Sequence, residues 1–190
     1  MHELTIMRIE KLTETIILPP GVTASYDAAT KRFAVKGPKG EIAKAFFDPK
    51  IAITVGDGKI TFTALRATMQ QKKRLYTFRA HAKNMAKGVS EGFTYRLKVC
   101  SGHFPMSVSV KGRTFEIKNF IGEKVPRTLA IKEGADVKVE GESVTVTGTD
   151  KEVVGQVAAD IEQLSRRPGF DTRIFQDGIF IVEKGDKKLA

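Results

Sequence analysis

Apolar and polar residues alternate with a period of two through most of the chain, and the alternation gives way twice to the period of a helix. In the first half, short runs rich in β-branched and aromatic residues predict strands at 15–18, 22–26, 32–36, 41–47, 51–55 and 59–64. Gly37-Pro38-Lys39-Gly40 and Gly56-Asp57-Gly58 supply turns between them. A helix is then predicted over 68–87, with Leu75, Phe78, Ala82, Met85 and Val89 on one face and Gly88 placed to end it. The second half predicts strands at 94–101, 106–111, 114–119, 128–131, 136–140 and 143–147. There Thr149-Asp150-Lys151-Glu152 reads as a capping box, Val153, Val154, Val157, Ala158, Ile161 and Leu164 as the apolar stripe of a helix, and Pro168-Gly169 as its stop. The links between strands are too short for crossover helices, so antiparallel hairpins are implied.

The two halves repeat each other. Residues 31–41 lie over residues 113–123 with Phe33 on Phe115, Lys36 on Lys118, Gly40 on Gly122 and Glu41 on Glu123, an offset of 82. Ile53-Thr54-Val55 and residues 60–63 match Val137-Lys138-Val139 and residues 144–147 at an offset of 84. In both copies the last strand runs into the helix. Two matches at nearly one offset point to an internal duplication. The expected fold class is α+β: two tandem similar domains, 1–90 and 91–190, each a small antiparallel sheet packed against one helix.

Composition narrows the partners. Thirty-two Lys and Arg against 22 Asp and Glu give a formal net charge of +10, which implies a polyanion or an anionic surface. No run of about 18 apolar residues is present, and the N-terminus does not read as a secretory signal, so no membrane partner is expected. The single Cys100 excludes an internal disulfide and fits the cytoplasm. With no Trp and 3 Tyr beside 12 Phe, extended stacking platforms are not expected, and structured RNA or a duplex suits the chain better.

The charge is unevenly placed. Residues 1–90 hold 16 basic and 7 acidic side chains, and residues 91–190 hold 16 and 15. Between Arg66 and Lys87 there are seven Lys or Arg and no carboxylate, with Lys72, Arg79, Lys83 and Lys87 on one helix face. A solvated helix normally alternates its charges, so a one-sign face points to phosphate. Lys72-Lys73-Arg74 occupies the first turns, where the helix dipole disfavours cations but attracts an external anion. In the second copy eight carboxylates gather between Glu133 and Glu162, a face expected to point away from RNA, while the basic residues lie between Arg96 and Lys132 and in the tail. The candidate RNA contacts are Lys72, Lys73, Arg74, Arg79 and Lys83 in the first copy, and Lys111, Arg113, Arg127, Arg166, Arg167 and Arg173 in the second, the last three belonging to a C-terminal tail read as RNA-contacting.

Little here suggests an enzyme, a cofactor or a small-molecule substrate. Cys100-Ser101-Gly102-His103 has the spacing of half a zinc site, with no second pair to complete it. Gly37-Pro38-Lys39-Gly40 is a hairpin turn with at most one phosphate contact, not a nucleotide loop. Cys100 reads as a small core residue. His81 fits RNA contact and partial burial equally, and His103 fits a structural role.

Several strings, in order and spacing, resemble the universal large-subunit ribosomal protein six family, called L-six in bacteria and L-nine in eukaryotes. They are Val35-Lys36-Gly37-Pro38-Lys39-Gly40, Asn84-Met85 with Gly88-Val89 and Gly92-Phe93, His103-Phe104-Pro105, Asn119-Phe120-Ile121-Gly122 and Asp177-Gly178-Ile179. The resemblance covers nearly the whole chain. Residues 173–180 depart from the bacterial tail and are similar to archaeal and eukaryotic members, an archaeal-type chain being preferred. It implies a non-catalytic structural constituent of the cytoplasmic ribosome that binds large-subunit rRNA near the sarcin-ricin loop, beside neighbouring ribosomal proteins at the base of the acidic stalk. A protein-interaction scaffold outside the ribosome, docking through exposed strands or the acidic face, is the alternative.

Overall fold

The computed structural model describes residues 9–171, 173–185 and 187–189. They form two compact units, Met1–Glu91 and Gly92–Ala190. In unit one the strands are β1 (Ile9–Ile17), β2 (Thr23–Asp27), β3 (Arg32–Gly37), β4 (Gly40–Ala45), β5 (Ile51–Gly56) and β6 (Lys59–Ala67), followed by α1 (Met69–Ser90). They sort into two three-stranded antiparallel sheets, β1-β6-β5 and β2-β3-β4. The α1 helix packs against strands of both. Alternation decides what is inside: Phe33 and Val35 of β3 and Ile60, Phe62 and Ala64 of β6 are fully buried against Leu75, Ala82 and Val89 of α1. Phe46 stacks between Phe33 and Phe78, with ring centroids 5.0 and 4.9 Å away.

Unit two repeats the plan with β7 (Phe93–Cys100), β8 (Ser107–Lys111), β9 (Thr114–Lys118), β10 (Arg127–Ala130), β11 (Ala135–Glu140), β12 (Ser143–Gly148) and α2 (Lys151–Leu164). The duplication is visible in the register. Ile53 faces Phe62 and Val55 faces Ile60 across β5 and β6, and Val137 faces Val146 and Val139 faces Val144 across β11 and β12, each 84 residues on. Phe115 and Ile117 of β9 are buried as Phe33 and Val35 are in β3, 82 residues earlier.

Three expectations change. The tail, where no strand is expected, joins the sheet: β13 (Gly178–Lys184) pairs with β7, and β14 (Lys187–Lys188) with β13, giving a five-stranded sheet β11-β12-β7-β13-β14 beside β10-β9-β8. Gly88 does not end α1 but is buried within it, and the helix runs to Ser90. The α2 cap is Asp150, one residue later than Thr149, and its carboxylate accepts the Glu152 N–H at 2.9 Å. No helix among the described residues is long and apolar enough to cross a membrane.

Two tight approaches fix the ends of the helices. Gly37 lies against the last turns of α1, where a Cβ would come within 2.8 Å of Val89 Cγ2 and 2.9 Å of its carbonyl oxygen. The Lys39 N–H donates to the Val89 carbonyl at 2.9 Å and the Lys39 ammonium to that of Glu91, so the hairpin satisfies carbonyls left open at the helix end. Lys39 is thereby committed inside the unit. At the start of α2, a Cβ on Gly148 would meet the Gly134 carbonyl at 2.5 Å.

Candidate nucleic-acid interface

The basic helix begins at Thr68, whose N–H donates to the Gln71 side chain at 3.0 Å, and its first turn carries no acid. An uncompensated positive dipole end therefore lies beside Lys72 and Lys73. The basic residues of α1 separate into two kinds. Arg74 reaches Asp48, Nη1 to Oδ2 2.8 Å, and Asp48 is almost wholly buried while Arg74 stays largely in solvent. Arg79 lies 3.4 Å from Glu14. Lys72, Lys73 and Lys83 face no carboxylate within ion-pair distance among the described residues, with Lys73 and Lys83 exposed and Lys72 half-buried. Buried Leu75, Ala82, Met85 and Val89 hold one face to the sheets, so Lys73 and Lys83 point outward and Lys72 lies on the flank. His81 is half-buried beside Phe46.

In unit two the candidates divide more sharply. Arg127 turns inward. Its guanidinium meets Glu123 at 2.8 and 2.6 Å, donates to the carbonyls of Leu164 and Arg166 at 2.7 and 2.9 Å, and stacks 4.4 Å over the Phe120 ring. These contacts close the C-terminal end of α2, whose last carbonyls have no helical partner. Its fork is used up on the protein, which removes Arg127 from the set able to meet phosphate. Its hydrogen bonds, ahead of the opposing effect of burial, hold the Glu123 carboxyl below its usual range. Arg127→Met is expected to destabilise unit two by about 2 kcal/mol, less than a fully buried pair because both side chains keep some solvent. Urea unfolding checks this, and unchanged stability would refute the assignment.

Lys111 pairs with Glu116 at 2.9 Å, and this contact holds the Glu116 carboxyl down. Arg173 binds its neighbour Asp171 at 2.7 Å while remaining largely exposed. Arg113 donates to the Ile131 carbonyl at 3.3 Å. Arg167 lies 4.3 Å over the Phe170 ring and 4.0 Å from Glu123. The Arg166 side chain is exposed, with no acceptor among the described residues. Of the acidic stretch, Glu133, Asp136, Glu140, Glu142 and Glu152 are exposed.

Two of the marker strings meet in space. The His103 ring Nδ1 lies 2.5 Å from Asp177 Oδ2, and the Gly102 and His103 N–H groups donate to Oδ1 at 2.7 and 2.9 Å. A buried carboxylate thus ties the end of β7 to the start of β13. Burial pushes the Asp177 carboxyl up, but its bonds to His103 and Gly102 outweigh that and hold it below its usual value. Because the folded value lies below the unfolded one of about 3.9, the stabilisation is complete above that pH and is lost as pH falls through the folded value. Asp177→Asn keeps an acceptor for both N–H groups but loses the charge. It is expected to cost about 1–2 kcal/mol at neutral pH, with the difference from the parent vanishing in acid. Unfolding curves across pH test this, and a difference independent of pH would contradict it.

Fold and surface together define a basic, internally duplicated α+β protein whose outward cations include lysines on α1 and arginines after α2. The profile of the family described as ribosomal protein L6 matches residues 18–92 and 104–178, one match in each unit. The chain is 44% identical over 176 residues to the large ribosomal subunit protein uL6 of Methanosarcina mazei, covering 93% of this chain and 99% of that one. It is 44% identical over 178 residues to that of Methanococcus vannielii, covering 94% and 97%, and 42% identical over 185 residues to that of Methanospirillum hungatei, covering 95% and 100%. The chain belongs to the ribosomal protein L6 family, and these relatives are archaeal.

Proposed function

We propose that the chain is a structural constituent of the large subunit of the cytoplasmic ribosome and binds large-subunit RNA near the base of the acidic stalk and the sarcin-ricin loop. The observation that carries this is α1, where Lys72, Lys73 and Lys83 stand without carboxylate partners among the described residues and the first turn, beside Lys72 and Lys73, holds no acid. Unpaired cations of one sign repel each other and gain only when phosphates approach, releasing counterions. Arg79 and Arg74 add partly neutralised charge; Arg113, Arg166, Arg167, Lys111 and Arg173 supply a second contact from unit two. Backbone contacts of this kind read shape and bridge RNA helices, which suits a scaffold.

Neighbouring ribosomal proteins suit a different surface. The outward face of β1-β6-β5 presents Thr13, Thr15, Ala52, Thr54, Thr61, Thr63 and Leu65, with Lys11 and Lys59 as its charged positions. The matching positions of β11 hold Asp136 for Ala52 and Lys138 for Thr54. A sheet face made mostly of threonine and apolar residues on a chain of net charge +10 favours protein over RNA.

Chemical footprinting of large-subunit RNA in particles assembled with and without the chain tests the location. Protection in the sarcin-ricin stem and at the stalk base is expected. Protection confined to distant RNA would place the chain elsewhere.

A further inference from the structure

Unit two contains a cleft of about 800 Å³ lined by Phe120, Phe170, Phe175 and Phe180 together with Arg166 and Arg167. Four of the chain's 12 phenylalanines meet there, although the composition argued against stacking surfaces. We propose that this cleft receives an unstacked base of the large-subunit RNA, with Arg166 holding the adjoining phosphate, an inference that rests on the ribosomal reading above.

The wall is a row of planar groups. The Arg167 guanidinium lies 4.3 Å over Phe170, Phe170 meets Phe175 edge-on at 4.9 Å, and Phe175 lies 4.9 Å from the His103 ring. The tie from His103 to Asp177 fixes the end of that row. Phe170 and Phe175 are half-buried and Phe180 is 44% exposed, so the cleft offers apolar ring surface to an incoming group.

Its polar lining is largely satisfied from within. The Ser165 hydroxyl donates to the Glu162 carbonyl at 2.9 Å and accepts the Ile179 N–H at 2.9 Å, and the Asp177 carboxylate is taken by His103 and Gly102. The Glu162 carboxylate lines the cleft and accepts the Ile181 N–H at 3.4 Å. An anion inside would face Glu162 and Asp177, so the phosphate stays at the exposed Arg166 while the neutral, flat base enters. The volume lies within the range of roughly 300–1,000 Å³ usual for small ligands and holds one nucleotide. Bases splayed from single-stranded loops are stacked on aromatic and guanidinium planes in this way.

Stacking carries no counterion release, which separates it from phosphate contact. The test uses the full chain and an RNA fragment carrying the sarcin-ricin loop, titrated with salt. The double variant Phe175→Leu/Phe180→Leu keeps apolar volume and is expected to bind about 10-fold more weakly at every salt concentration with the slope unchanged. Arg166→Gln should instead flatten the slope by about one phosphate. Cys100, the chain's single cysteine, also lines the cleft, so its alkylation by N-ethylmaleimide should slow about 10-fold in the parent complex and recover in the double variant. A double variant that binds as tightly as the parent, or a Cys100 alkylated equally fast free and bound, would overturn the base pocket while leaving RNA binding intact. Failure of the parent to bind the RNA would overturn both.

Discussion

Changing Lys72, Lys73 and Lys83 together to glutamine is expected to weaken binding to a sarcin-ricin RNA fragment on the order of 100-fold at about 0.1 M salt. Each phosphate neutralised contributes a slope of about 0.7 to 0.9 in the logarithm of affinity against that of salt, so losing three contacts should flatten the slope by about 2 to 3. The three side chains have no ion-pair partner among the described residues, so thermal unfolding should not change. The contrast is Arg74→Gln, which strips a buried Asp48 of its cation and should lower stability more than the salt slope. Affinity untouched by the triple change would remove α1 from the interface.

Phe33→Ala and Phe115→Ala should each cost their own unit about 3–5 kcal/mol, a large part of what a domain of this size possesses. Both rings are fully buried at matching places in the duplicated sheets, and neither has polar atoms that water could reward on exposure. The truncation leaves a cavity that the neighbouring strands can only partly close. Urea unfolding measures the loss. Similar costs at the two positions are the energetic counterpart of the shared register, and a cost below about 1 kcal/mol at either would contradict a conserved core plan.

Alternation made the strands legible, because one face of each sheet is buried and a period of two records that directly. The repeat then set the correspondence of β5 and β6 with β11 and β12 to the residue. What escaped was long-range. Residues 178–184 carry an apolar run, Gly178-Ile179-Phe180-Ile181-Val182, yet unit one has no strand after its helix, and the repeat offered no template for β13. Gly88 looked like a helix end because glycine favours one, but packing against the Gly37 hairpin holds the helix to Ser90.

The site was legible as charge and illegible as pairing. Counting cations showed the face of α1, but nothing in the sequence couples Arg74 to Asp48, 26 residues away. The Glu123 and Arg127 spacing of four was a readable hint, although the residues between them are not helical. The Phe cleft was hidden by the same distance: Phe120 comes from the loop after β9, Phe170 and Phe175 from the segment after α2, and Phe180 from β13. Only folding brings them together.

The central claim, that the chain holds large-subunit RNA through outward-facing cations, is tested most directly by a salt titration of the intact chain on the sarcin-ricin fragment. Tight binding that falls linearly on logarithmic axes, with a slope of about −4 or steeper from the lysines of α1 and the arginines after α2, is the predicted result. Binding that ignores salt, or no binding at all, would contradict it.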